Sequence, residues 1–320
     1  MEWSHSAHVA AHRCQLQFVF GHVMAAHNAR DPERREAYVL KQLQQLPAWR
    51  GSIIHRVLST DFLAALLHGR SVDAATLAAR GHDLARRQFA FSAERRYRDA
   101  DLSKGEAGED YCALVEHERG RGVTTAQLTG VLDEITRAFD HLVSQTAFLA
   151  ELRRGRGHTS EPRLSFRLDG TTIVARPDLV FVRSDGAPVV IDWKIGASDT
   201  SDYSRQLLTY ALAVARSGRW SGTAAKDVRL YEANLLKNEI REHPVTAERL
   251  DEAEEFIYRS VVDMRHLLGE GKFDDLDLSE FEVAGRPTTC AYCNFAELCV
   301  RRLADAGRTR EVLVIQGRLL

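Results

Sequence analysis

The sequence predicts a mixed α/β fold, a mixed sheet flanked by helices behind a large N-terminal helical portion. Three observations predict it. Apolar residues recur at helical spacing through the first 150 positions, the period changes to alternation near Leu164, and helical spacing returns after Tyr203.

Taken in order, the helical portion is clearest where Leu128, Val131, Leu132, Ile135, Phe139, Leu142 and Val143 share one face, behind the capping-box pattern of Thr124 and Gln127. Residues 99–122 carry Asp99, Asp101, Gly105, Glu106, Gly108, Glu109, Asp110, Gly120 and Gly122, which predicts a loop or mobile insertion. The run Arg153-Arg154-Gly155-Arg156-Gly157 reads as a connector. Leu164, Phe166 and Leu168 then alternate, Asp169-Gly170 is a hairpin turn, and strand is expected from Ile173 through Val182. Ser184 to Pro188 is a second turn, leading into Val189-Val190-Ile191-Asp192-Trp193-Lys194-Ile195-Gly196. A helix follows with Tyr203, Gln206, Leu207, Tyr210 and Ala211. Val228, Leu230 and Ala233 predict another strand, with Glu239 to Val245 pairing back on it. Residues 247–268 read as an amphipathic helix ahead of a cysteine-rich segment. The expected organisation is an N-terminal helical segment (1–60), a helical insertion (61–158), an α/β core (159–245), a C-terminal helix and cysteine segment (246–303) and a tail (304–320).

The chain is long enough for a substantial core, and its net charge of −2 supplies no overall basic field, so a nucleic-acid surface must be a local patch. No apolar run reaches membrane-spanning length, and the N-terminus lacks the basic start and apolar core of a signal peptide. A cytoplasmic protein with no membrane partner is expected. Five cysteines argue against a disulfide framework and towards metal or redox chemistry.

The chemistry begins at the strand 189–194. Three β-branched aliphatics ask for the dry centre of a sheet, yet Asp192 and Lys194 follow on one side of the strand. Asp178, in Ala175-Arg176-Pro177-Asp178-Leu179-Val180, lies where a neighbouring strand can bring it beside Asp192. Close carboxylates raise each other's proton affinity unless a cation is present, and a hard divalent ion resolves the repulsion. An ammonium beside such an ion can orient water and offset charge on a phosphoryl group. The plain alternative is a structural Asp192–Lys194 ion pair at a strand end. Near the C-terminus Cys290, Cys293 and Cys299 stand at Cys-x2-Cys-x5-Cys spacing and need a fourth ligand, for which Cys14 is the candidate; Cys112 lies in the expected loop. Four thiolates suit tetrahedral zinc or a [4Fe–4S] cluster.

These residues resemble the PD-(D/E)XK nuclease superfamily, and within it the RecB-like branch. That branch has a strand acid, an (Asp/Glu)-x-Lys strand and a helix with Gln-x-x-x-Tyr, matched here by Asp178, Asp192-Trp193-Lys194 and Gln206-Leu207-Leu208-Thr209-Tyr210. Its upstream helical histidine is matched by Gly51-Ser52-Ile53-Ile54-His55, and Glu161 stands about where relatives often carry an acid. The one-plus-three cysteine arrangement resembles the iron–sulfur subset of the branch, AddB and the CRISPR-adaptation exonucleases, in which the cluster ties the N-terminal segment to the C-terminal one. The resemblance covers residues 1–60 and 160–303. It implies a restriction-endonuclease-like core and a Mg2+- or Mn2+-dependent deoxyribonuclease, an exonuclease on DNA ends or single strands, with a helicase or integrase-type protein as partner. Asp178 and Asp192 would hold the ion with His55 and the Trp193 carbonyl. Lys194 would activate water, Gln206 and Tyr210 would orient Lys194 or the DNA backbone, and Cys14, Cys290, Cys293 and Cys299 would hold a [4Fe–4S] cluster, zinc being the alternative. A catalytically silent DNA-binding module is the competing expectation.

Three further clusters stand apart. Arg86, Arg87, Arg95, Arg96 and Arg98, interleaved with Phe89, Phe91 and Tyr97, read equally as a DNA-facing patch or a solvated helix. His5, His8 and His12 fall on one helical face that could bind a metal, though such a face is more often solvated or packed near its neighbours, and Asp274, Asp275, Asp277 and Glu280 read as acidic surface.

Overall fold

Alternation in the second half of the chain produces strands, and their register decides what they carry together. A computed structural model of the protein describes residues 2–196, 203–220, 222–269, 276–284 and 287–319. Among them are eight strands: β1 (Glu2–Trp3), β2 (Arg156–Ser160), β3 (Leu164–Leu168), β4 (Thr171–Ala175), β5 (Leu179–Val182), β6 (Pro188–Lys194), β7 (Arg229–Asn234) and β8 (Glu239–His243). They form a three-stranded sheet in the order β1-β4-β3 and a five-stranded sheet in the order β2-β5-β6-β7-β8. The larger sheet is antiparallel except for the parallel pair β6/β7, whose connection runs through the helix Ser204–Arg216. Parallel neighbours need such a crossover.

The pleat divides the core in two. Val189, Ile191 and Trp193 pack with the helices between residues 46 and 152, whereas Val190 faces the opposite way, with Leu207, Ala211 and Ile257. Period two therefore sends Asp192 and Lys194 to the side of the helix Ser204–Arg216.

Four expectations change. The strand expected from Ile173 to Val182 breaks at Arg176-Pro177-Asp178, where the chain leaves one sheet for the other; Pro177 has no N–H to continue a ladder. The connector is partly strand, since Arg156–Ser160 lies along β5 with a register shift between Arg156 and Thr159. β1, two residues long, was too short for any periodicity to mark it. Residues 99–122 are turns and one-turn helices, as a loop would be, but packed against the rest of the chain and not a separate insertion. Ala113 and Leu114 are buried, and the Gln44 N–H donates to the Ala113 carbonyl at 2.8 Å. The acids of that segment are ion-pair partners: Arg87 reaches Asp110 at 2.7 Å and Glu109 at 2.6 Å. Elsewhere the turns and caps follow expectation. Asp169 and Gly170 have φ of +45° and +72°, as a two-residue hairpin turn requires, and Thr124 and Gln127 form the capping box.

The helices Ala74–Ala93 and Thr125–Ser144 approach closely at Gly81, where an added Cβ would lie 2.7 Å from Ile135 Cγ2. Ile135 is fully buried and has nowhere to move. Gly81→Val is therefore expected to destabilise the protein by about 2 kcal/mol through overpacking, read as a lower urea midpoint with an unchanged slope. A wild-type midpoint would contradict the close packing.

Candidate active site

Asp178 sits at the proline-broken entry to β5. Leu179 pairs with Ile191, so Asp178 is the next residue outward and meets the Asp192 end of β6. Its Oδ2 accepts the Trp193 N–H at 2.7 Å, and its Oδ1 lies 3.2 Å from His55 Nδ1. His55 comes from the last turn of the helix Leu46–Val57. A strand residue sends its N–H and C=O to the same side, so the Trp193 carbonyl also faces the gap beyond the end of β5.

Asp192 is 3% exposed. Burial pushes its carboxyl up to about 6, and Asp178 adds to the rise while Lys194 opposes it. Lys194 forms an ion pair with Asp192, donates to Gln206 Oε1 at 3.1 Å, and lies over the Tyr203 ring, 3.8 Å from its centroid. Gln206 Nε2 donates to the Tyr210 hydroxyl at 2.6 Å, and that hydroxyl donates to Asp192 Oδ1 at 3.3 Å. Four residues of helical spacing put Gln206 and Tyr210 on one face, so the chain of bonds closes on itself. Burial, with Asp192 next, holds the Tyr210 hydroxyl well above its ordinary pKa, keeping it a donor. Burial alone would lower the His55 pKa, but the bond to Asp178 and the surrounding acids outweigh it, so the imidazole holds a proton more tightly than usual.

An open cleft of about 610 Å³ is lined by His55, Glu161, Arg176, Asp178, Asp192 and Lys194, among others. Glu161, at φ +47°, is positioned by its own N–H on the Asp178 carbonyl at 2.9 Å. Among the described residues, no three His, Cys, Asp or Glu side chains are arranged to hold a metal ion. The structure thus gathers His55, Asp178, Asp192, Lys194, Gln206 and Tyr210 around one cleft. Sequence reading passed over Arg50, which is buried, pairs with Glu134 and donates to the Ile195 carbonyl at 2.6 Å, fixing the chain just past Lys194. It also gave Tyr203 no role. An arginine set among Leu46, Trp49, Ile53 and Ile54 on the apolar side of its helix was the available signal for Arg50.

The cysteines form a second locus. Cys14, Cys290, Cys293 and Cys299 line one small pocket with Leu16, Phe20 and other apolar residues, and all are free thiols. Burial pushes Cys293 up to about 12 and raises Cys290 as well. Arg119 donates to the carbonyls of Ala291 and Cys293 at 3.1 and 2.9 Å, and Asn294 donates to the Leu43 carbonyl at 2.8 Å. Cys112 is buried apart, in the helical cluster.

The arginine cluster is not a free basic patch. Arg87 is held by Asp110 and Glu109, and Arg95 and Arg98 both pair with Glu118. Phe91 and Tyr97 are buried, so they offer no face to a base; Arg96 lies over Phe91, and Arg86 is exposed. Of the histidines, His8 packs on Phe256 and bonds the Ser260 hydroxyl at 2.7 Å; burial, with His12 and His5, brings its pKa down to about 4. Asp274 and Asp275 lie outside the described residues, and Asp277 and Glu280 are exposed.

No described helix is long and apolar enough to cross a membrane. Residues 2–300 match the family model described as the PD-(D/E)XK nuclease superfamily. No curated protein matches the chain. Two solved structures resemble it weakly. SSO0001 is 16% identical, the match covering 69% of this chain and 84% of that one at a TM-score of 0.30. A Eubacterium rectale protein provisionally named an exonuclease is 14% identical, covering 67% of this chain and 73% of that one at a TM-score of 0.36. At those scores neither carries an argument.

Proposed function

The chain belongs to the PD-(D/E)XK nuclease superfamily, and from that premise we propose that it is a RecB-like, Mg2+- or Mn2+-dependent deoxyribonuclease, an exonuclease on DNA ends or single strands. The observation that carries this reading is the Asp178–Asp192 pair: a carboxyl pushed up to about 6 by burial, beside a second acid, at the floor of an open cleft. No three of these side chains converge on one point among the described residues, but the donor types suit a hard divalent ion: two carboxylates and the outward Trp193 carbonyl, with His55 nearby.

In that site Asp178, Asp192 and the Trp193 carbonyl would hold the ion, joined by His55 once the ion's charge has displaced the proton from its imidazole. When bound, it supplies a Lewis acid for the phosphoryl oxygen and water of lowered pKa. The rest falls to the chain. Lys194 orients the attacking water and offsets charge on the phosphoryl group; the water oxygen bonds to phosphorus as the bond to the leaving DNA oxygen breaks, and the proton the water gives up ends on that leaving oxygen. Gln206 and Tyr203 fix the ammonium by one hydrogen bond and one ring face. Tyr210 keeps Asp192 Oδ1 oriented, and the hydroxyl stays protonated throughout.

We assign Cys14, Cys290, Cys293 and Cys299 to a [4Fe–4S] cluster, zinc being the alternative. Their convergence in one apolar pocket supports this, as does the anchoring of the cysteine segment by Arg119 and Asn294.

The test is chelation. Cleavage of an end-labelled oligodeoxynucleotide is expected to vanish in EDTA and to return with Mg2+ or Mn2+, releasing products from an end. Metal-independent cleavage, or none in any metal, would overturn the reading.

A further inference from the structure

A second cleft, of about 1060 Å³, opens beside the first and shares Arg176, Gln206 and Tyr210 with it. Its walls come from distant parts of the chain. Ser4 and His5 stand at the start of the helix His5–Arg13, Arg163 and Arg176 flank the small sheet, and Arg265 closes the helix Ala247–Leu268. Among the described residues Glu2 is the single acid in this lining, and it pairs with Arg163 at 2.5 Å. Arg265 is likewise held by Asp169 at 2.6 Å. Arg176 differs: it is exposed and has no hydrogen bond or ion pair among the described residues. His5 Nδ1 is buried without a hydrogen-bond partner.

We propose that this cleft carries a single DNA strand to the catalytic acids, and that Arg176, at the crossing of the two clefts, grips the backbone phosphate next to the one being cut. The assignment deepens the nuclease reading and rests on it. Arg176 lies two residues from Asp178, about 7 Å along an extended chain. A guanidinium that no carboxylate neutralises is suited to a phosphate at that place, because its planar fork matches the phosphate oxygens.

The substrate class follows from depth. Asp192 and Tyr210 are almost wholly buried, so a phosphate must descend between walls to reach them. A duplex keeps its backbone on a stiff cylinder, whereas a single strand can bend into a recess. Trp3, Phe18 and Tyr210 of the lining are buried and offer no ring face, which leaves only the smaller imidazoles of His5 and His22 accessible among its described rings. The grip is therefore on the backbone and indifferent to sequence.

The experiment measures binding of a fluorescein-labelled oligothymidylate to the full chain in EDTA, at several salt concentrations, with cleavage followed in parallel in Mn2+. Arg176→Ala is expected to weaken binding roughly tenfold and to reduce the magnitude of the salt slope by about 0.7, the value for one phosphate contact on a single strand. Arg176→Lys, which keeps the charge, retains the slope. Photocrosslinking from a thiothymidine in the strand is expected to mark residues 4–23 or 163–176. Wild-type affinity and slope in Arg176→Ala, or tighter binding of the matched duplex, would overturn the strand path while leaving a cutting enzyme. A wild-type chain that binds through Arg176 and never cuts would overturn the nuclease reading instead.

Discussion

Asp192→Asn is expected to lower divalent-dependent cleavage on the order of 10³-fold with the far-UV circular dichroism unchanged, and Lys194→Ala on the order of 10²-fold or more. The asparagine keeps an oxygen for the Tyr210 hydroxyl but loses both the charge and the second oxygen that pairs with Lys194, so the variant removes the carboxylate as a ligand while leaving the side chain's size unchanged. Its effect on stability has a sign of its own. Burial raises the folded-state pKa of Asp192 from 3.8 to about 6, so folding holds a proton on this group that the unfolded chain releases. Its contribution is fully present below pH 3.8 and is lost as pH rises through about 6. Above that range wild type carries the cost of a buried charge that the asparagine variant lacks. The stability of wild type relative to Asp192→Asn should therefore decline across this window in EDTA. An Asp192→Asn protein that cuts at the wild-type rate in Mn2+ would defeat the assignment of this acid, whatever its stability.

The second large effect concerns the cysteines. Protein purified without oxygen is expected to contain iron and acid-labile sulfide, with a broad visible absorption that Cys293→Ser loses. A cluster held by Cys14 and the C-terminal cysteines closes a loop of about 280 residues, and the chain-entropy estimate for such a link is about 6 kcal/mol. Cys293→Ser is then expected to lower Tm by on the order of 10 °C, whereas Cys112→Ser, in the separate helical cluster, leaves the absorption intact. Zinc without iron would replace the cluster by the alternative metal. Neither metal, with an unchanged Tm in Cys293→Ser, would remove the cross-link altogether.

Much of the site was legible because its parts are local. Alternation along 189–194 places Asp192 and Lys194 on one face opposite Ile191 and Trp193, and the core divides along that line. Four-residue spacing aligns Gln206 with Tyr210, and their bond at 2.6 Å is its product. The illegible parts were those in which charge or aromaticity had two uses. Arg87, Arg95 and Arg98 looked available to phosphates, yet their partners Glu109, Asp110 and Glu118 lie in the segment whose glycines and charges suggested a loop. Pattern within a segment does not reveal that two segments neutralise each other.

What the sequence by itself determined about this protein is the α/β class, the Asp-x-Lys strand, the Gln-x-x-x-Tyr helix face and the spacing of three cysteines. Each follows from the fixed period of a strand, a helix or a turn. Only the tertiary structure decided that Asp178 stands at the Asp192 end of β6, that His55 bonds it, that Cys14 lines one pocket with Cys290, Cys293 and Cys299, and that Arg176 is left exposed between two clefts. Those meetings depend on strand register and on the break at Pro177, which carries the chain from one sheet to the other. The entropy of closing a long loop changes only slowly with its length, so spacing in sequence holds almost no information about which distant residues converge.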